Sequence, residues 1–99
     1  MVYKNLLVSF QHRSVFVGNQ KIALTRQEFD ILSYLITNRG KTLSYNQIYR
    51  CVWSGEYDDS ERHMLWNAMK RLRAKLKNVS CGSEYIETIH DYGYRLPIL

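Results

Sequence analysis

Apolar positions along this chain first alternate and then fall into helical spacing. Between residues 3 and 23 the runs Asn5–Phe10, Ser14–Val17 and Gln20–Leu24 are short and β-rich. They are separated by Gln11-His12-Arg13 and by Gly18-Asn19. A Gly-Asn pair between apolar runs predicts a tight hairpin turn, so the segment reads as a small antiparallel meander. The period then changes. Phe29, Leu32, Leu35 and Ile36 share one helical face, with Ile31 and Tyr34 flanking it. Thr25 and Glu28 ahead of them form a capping box, in which each residue satisfies the other's backbone N–H. This predicts a helix over 26–38, stopping near Asn38–Gly40 with Gly40 as a left-handed terminator. Ser44 and Gln47 repeat the device. They predict a short helix over 45–52, with Ile48, Val52 and Cys51 turned inward and Trp53 in the core.

A third helix is predicted over Ser60–Lys77. Leu65, Met69, Leu72 and Leu76 recur at steps of four, three and four and form one narrow stripe. The opposite face presents His63, Asn67, Lys70 and Ala74, with Trp66, Arg71 and Lys77 beside it. Glu84–Ile89 and Tyr94–Ile98 then read as two strands joined by His90-Asp91-Tyr92-Gly93. Gly93 is expected to supply the backbone geometry of the turn, and Pro97 fits an edge or terminating strand. The order is sheet, helix, short helix, long helix, hairpin. It predicts an α+β fold, a winged helix-turn-helix with an N-terminal antiparallel sheet, a three-helix core and a C-terminal β-hairpin wing. At this length the expectation is one domain over 1–99, with the sheet at 1–24, the helices at 25–77 and the wing at 84–98.

Charge changes the picture of the third helix. Ser60–Lys77 holds six basic residues and one acidic one, a balance of +5 that equals the formal net charge of the whole chain. A helix that buries one stripe and carries the entire net charge on its other faces points to a polyanionic partner. His63, Asn67, Lys70 and Arg71 are placed to reach base edges, and Arg62, Arg73 and Lys75 suit phosphates. A basic solvated face on a core helix is the plainer reading of the same pattern. Glu56, Asp58 and Asp59, in the loop before the helix, read either as solvated acids near its positive end or as part of a partner-contacting loop.

The remaining chemistry is sparse. No nucleophile–base–orienter set, glycine-rich phosphate loop or metal motif is suggested by spacing, so no enzyme, catalytic residue, metal or cofactor is expected. His12, His63 and His90 are scattered. Cys51 and Cys81 form no CxxC and are expected to remain thiols, Cys51 buried and Cys81 exposed in a Gly/Ser loop. No apolar run approaches a membrane span and no signal peptide is evident. A cytoplasmic domain without membrane contact is expected.

At this point the sequence resembles a known family, the winged-helix effector domains of OmpR/PhoB-type response regulators. The matching residues are LTRQEFDILSYL at Leu24–Leu35, Leu43-Ser44 with Gln47-Ile48, Val52-Trp53, Leu72-Arg73-Ala74-Lys75-Leu76, Tyr85–Ile89 and Gly93-Tyr94-Arg95-Leu96. The resemblance runs from about residue 20 to the end. It implies a four-stranded N-terminal sheet, a third helix that enters the DNA major groove and a wing that reaches the adjacent minor groove. It further implies tandem homodimers on direct repeats, and contact with RNA polymerase through the loop Trp53, Ser54, Gly55, Glu56, Tyr57, Asp58 and Asp59. By position, Lys70, Arg71 and Arg73 match groove or phosphate contacts. Thr88 and His90 match wing contacts, Thr88 as a phosphate donor. His90 stands where many members have Arg, which implies a weaker, pH-dependent contact.

The chain departs from the family in three places. Leu65-Trp66-Asn67-Ala68-Met69 replaces a frequent Val-Asp-Val-His-Ile. There Trp66 stands in place of an acid, and Ala68 removes a polar contact candidate. In the wing, Asp91 replaces a frequent Gly. Trp66 either covers the edge of the core or the base of the loop, or packs on DNA. The expected DNA-binding set is therefore Arg62, His63, Trp66, Asn67, Lys70, Arg71, Arg73, Lys77, Thr88 and His90. The expected function is sequence-specific binding of double-stranded DNA in bacterial transcription control, as the output domain of a two-component (phosphorelay) response regulator. No receiver or sensor domain is evident in these residues. The alternatives are a winged-helix protein-interaction module, and the output domain of a non-phosphorylated or membrane-anchored regulator.

Overall fold

A computed structural model describes residues 2–3, 5–55, 62–79 and 85–98. Four short antiparallel strands open the chain: β1 (Val2–Tyr3), β2 (Leu6–Ser9), β3 (Ser14–Val17) and β4 (Gln20–Ile22), hydrogen-bonded in that order. The pleat sends Leu6, Val8, Val15 and Ile22 inward, and all four are buried. The outward row pairs Val2 with Leu7, Leu7 with Phe16 and Phe16 with Lys21. Gly18 begins the two-residue turn between β3 and β4 at φ 60°.

Helix α1 (Arg26–Thr37) starts at the expected capping box. The Thr25 side chain accepts from Glu28 N at 3.2 Å, and Thr25 N donates to Glu28 Oε1 at 3.0 Å. Phe29, Ile31, Leu32, Leu35 and Ile36 are all buried, so the inward face is wider than the expected stripe and includes Ile31. The helix ends at Asn38, and Gly40 follows in the left-handed region at φ 87°.

Strand β5 (Thr42–Ser44) was not foreshadowed by any alternation. Its last residue, Ser44, is also the N-cap of α2 (Tyr45–Trp53), with the second capping box complete. Ile48, Tyr49 and Val52 are buried in α2, and Trp53 is half-buried with its ring stacked on Tyr49 at 5.0 Å. Cys51 was expected inside but is exposed. Tyr49, three residues before Val52, takes the inward position that Cys51 was assigned.

Helix α3 (Arg62–Val79) buries Leu65, Met69, Leu72 and Leu76 as expected, and Ala68 with them at 0% exposure. Ala68 is thus a core contact and not a gap in a polar reading surface; its small side chain widens the stripe on one side. Strands β6 (Glu87–Ile89) and β7 (Gly93–Arg95) form the wing. β7 also pairs with β5, so the wing is a three-stranded sheet of order β5-β7-β6 and not a lone hairpin.

Gly93 has a different role from the expected one. The residue in the left-handed region of this turn is Asp91, at φ 57°. At Gly93 the requirement is space, because a Cβ there would lie 1.8 Å from the Leu43 carbonyl oxygen. Pro97 lies beyond β7, and its carbonyl accepts from the Tyr3 hydroxyl at 2.6 Å, tying the chain end to the first sheet. One continuous apolar cluster runs from Tyr3 and Leu6 through α1 and α3 to Tyr94 and Leu96. Among the described residues no helix is long and apolar enough to cross a membrane.

Candidate nucleic-acid interface

With one stripe of α3 committed to the core, its polar residues divide among three surfaces. On the flank toward α1, Arg71 and Lys75 converge on a single carboxylate. Arg71 Nε lies 3.2 Å from Glu28 Oε2, and Lys75 Nζ lies 2.5 Å from Glu28 Oε1. Glu28 is fully buried. Burial by itself pushes its carboxyl pKa up. Hydrogen bonds from Lys75, from the Thr25 backbone and from Arg71, with the Lys75 charge, outweigh that and hold it below the ordinary carboxylate value. The N3 residue of the first capping box is therefore also the anchor of the basic helix.

The opposite flank is fastened to the wing. Arg73 Nη2 donates to Thr88 Oγ1 at 2.6 Å and to the Ile86 carbonyl at 3.0 Å. Its guanidinium also lies 5.3 Å from the Tyr94 ring centre. The Thr88 hydroxyl accepts in this arrangement, so its hydrogen is left to donate outward. Across the wing, Arg95 pairs with Glu87 at 2.9 Å, directly opposite in register.

Between the two flanks lies the outward face. Arg62, His63, Asn67, Lys70, Ala74 and Lys77 are exposed there, and Trp66 remains 55% exposed. α3 contains no acidic residue from Arg62 to Val79. In the wing turn His90 is exposed, with Nε2 3.1 Å from Asp91 Oδ2. Of the residues expected on an interface, eight lie on α3 and two on β6 and its turn, and Arg73 and Thr88 touch. The structure separates their surroundings more finely than the sequence did. Arg71 and Arg73 are held by protein partners, whereas Lys70, Asn67 and His63 face outward. Of the expected polymerase-contact loop, Trp53, Ser54 and Gly55 are described, with Ser54 capping α2 at φ 60°. Glu56, Tyr57, Asp58 and Asp59 lie outside the described residues, as does Cys81. Among the described residues no group of three or more His, Cys, Asp or Glu side chains converges as a metal site would.

The sequence reading missed Glu28 as a buried anion. A signal was present: Arg71 and Lys75 stand four apart on one helical face, which places both heads within reach of one partner.

A family profile described as "Transcriptional regulatory protein, C terminal" matches residues 19–96. The chain belongs to this family. Its members are the OmpR/PhoB-type winged-helix DNA-binding output domains of two-component response regulators. Among curated relatives, the transcriptional regulatory protein YcbL of Bacillus subtilis is 32% identical over 91 residues, covering 92% of this chain and 40% of YcbL. The chain thus spans less than half the length of this relative. Two solved structures superpose closely. One belongs to streptococcal redox sensors evolved from two-component response regulators, at TM-score 0.81 and 34% identity, covering 96% of this chain and 40% of the other. The other is the RstA DNA-binding domain of Klebsiella pneumoniae in complex with the RstA box, at TM-score 0.85 and 26% identity, covering 98% and 95%. This OmpR/PhoB-type domain keeps the family scaffold while carrying Trp66 on its outward helix face.

Proposed function

We propose that this domain binds double-stranded DNA by laying the outward face of α3 in the major groove, with the β6–β7 turn at the neighbouring minor groove. The observation that carries the reading is the acid-free outward face of α3, whose Arg62, Lys70 and Lys77 are exposed. The RstA domain, solved in complex with its DNA box and similar to this chain over nearly its whole length, supports DNA binding. His63 and Asn67 would meet base edges, and Lys70 the phosphate beside them. Arg71, Arg73, Lys77 and the Thr88 hydroxyl would meet phosphates, and His90 the minor-groove side. Electrostatics would supply most of the affinity, and a few side chains the sequence preference.

The finer reading follows the family. The domain would act in the cytoplasm as the output end of a phosphorelay regulator, with two copies in tandem on direct repeats. The acidic composition of 56–59 supports a contact of the 53–59 loop with RNA polymerase. Selection of bound sites from a random duplex library tests the tandem arrangement; repeats about one helical turn apart are expected.

The docking face is tested by anisotropy titration of a mixed-sequence duplex over a range of salt. Lys70→Ala should weaken binding severalfold and lower the salt slope by roughly one unit. Equal affinities for variant and wild type would reject this face. Asp91→Gly should act in the opposite sense. It relieves a side chain held at φ 57° and removes a carboxylate from the wing turn. The expected outcome is a gain of about 0.5–1 kcal/mol in stability and tighter binding at low salt. Unchanged affinity would place the turn away from DNA.

A further inference from the structure

Trp66 is unlike every other residue on the outward face of α3. A large apolar ring left 55% exposed among cations forgoes the burial that such a side chain ordinarily gains. Its surroundings are organised. A cavity of about 460 Å³ between the start of α3 and the wing is lined by Tyr45, Trp66, Tyr94, Arg62 and Asp91, among others. A second cavity, of about 230 Å³, is lined by Trp66 and Tyr94 again, with Lys70 and Arg73. Trp66 and Tyr94 thus wall a groove that runs along the wing side of α3.

Each aromatic in this groove carries a cation. The Arg62 guanidinium lies 6.0 Å from the Tyr45 ring centre, Lys70 Nζ 5.1 Å from that of Trp66, and the Arg73 guanidinium 5.3 Å from that of Tyr94. Among the described lining residues Asp91 is the one carboxylate, and its Oδ2 lies against His90. Alternating rings and positive charges complement a chain that alternates apolar sugar edges and phosphates. Free anions or a purely apolar ligand would use only half of that surface. Trp66 shares the groove with Tyr94 and Asp91 of the wing, so its ring lies on the side of α3 that faces the wing.

We infer that Trp66 packs its indole against a deoxyribose of the DNA strand passing between α3 and the wing, and holds the Lys70 ammonium over its face so that it meets the neighbouring phosphate. The inference rests on the DNA reading above and gives Trp66 two tasks, a sequence-indifferent contact and the positioning of Lys70.

The test uses the 99-residue chain, a mixed-sequence duplex, and the same duplex with every thymidine replaced by deoxyuridine. Trp66→Ala should weaken binding roughly tenfold on both duplexes, the scale of one lost aromatic contact to nucleic acid. It should also lower the salt slope by about one unit, as Lys70→Ala does. The double variant should fall short of the product of the single losses, because Lys70 without the ring is already displaced. Trp66→Phe should recover most of the affinity. The inference is overturned if wild type binds with ordinary salt sensitivity and Trp66→Ala stays within twofold of it. It is also overturned if the salt slope is unchanged, or if the Trp66→Ala loss vanishes on the deoxyuridine duplex, which would assign the ring to thymine methyl groups. No salt-sensitive binding by wild type itself would remove the DNA reading and this inference together, so the wild-type titration separates the two failures.

Discussion

Gly93→Ala is expected to destabilise the domain by about 3–5 kcal/mol, lowering the melting midpoint by about 15–25 °C. The added Cβ would lie 1.8 Å from the Leu43 carbonyl oxygen, 2.7 Å from its carbon and 2.8 Å from Ser44 Cα. All three are backbone atoms of β5, which have no rotamer to retreat into. Gly93 pairs with Ser44 on one side and with Ile89 on the other, so relief of the clash must part β7 from β5. Parting them disturbs Ser44, which caps α2. Gly18→Ala is the useful contrast. Nothing lies within 4 Å of a Cβ there, and only φ 60° opposes it, so a loss of about 1 kcal/mol is expected. Thermal melts of both variants separate the two kinds of glycine requirement. Equal small losses would mean that β5 and β7 do not approach this closely.

Glu28→Ala is expected to cost about 2–4 kcal/mol, more than the loss of an ordinary cap. The carboxylate is buried and answers Arg71, Lys75 and the Thr25 N–H together. Removing one member of a buried ionic group leaves its partners uncompensated. Both cations keep part of their side chains in water, which holds the figure below that for a wholly enclosed pair. Glu28→Gln should cost less, because it keeps an acceptor for Thr25. The pH dependence has a definite sign. The folded pKa of Glu28 lies below its ordinary value near 4.5. Its contribution is therefore complete above that value and fades as pH falls through the folded pKa. Chemical denaturation of wild type and Glu28→Ala should give curves that differ most near neutrality and converge in acid. A constant gap down to strong acid would show that the carboxylate's charge is not what holds α3.

The three helices were legible because each is specified locally; the place of the wing turn was legible too, but not that Asp91 rather than Gly93 takes its left-handed position. Thr25 with Glu28 and Ser44 with Gln47 announce their helices within four residues, and Leu65, Met69, Leu72 and Leu76 announce the buried side of α3. Strand β5 was not legible. Three residues are too few to show alternation, and the partner that makes Thr42–Ser44 a strand is β7, far along the chain. Cys51 was misplaced because a nine-residue helix leaves its rotation loosely fixed; packing turned Tyr49 inward, its ring on Trp53. On the interface, residue type identified the cations but not their partners. Arg71 and Arg73 look as free as Lys70 in the sequence. Whether such a charge is paired within the protein depends on Glu28 and Thr88, which lie 43 and 15 residues from their respective partners.

The shared residue Ser44 carries a geometric consequence. It ends β5, starts α2, and lies one position before Tyr45, whose N–H donates to the Tyr92 carbonyl in the wing turn at 2.9 Å. Arg73 adds a second strut from α3 to β6. Among the described residues the wing is therefore held to the helical core both through β5 and through Arg73. Held in this way, the two resemble the jaws of a caliper. In the proposed complex the span from major groove to minor groove is set in advance, and DNA whose grooves depart from that span must bend to the protein.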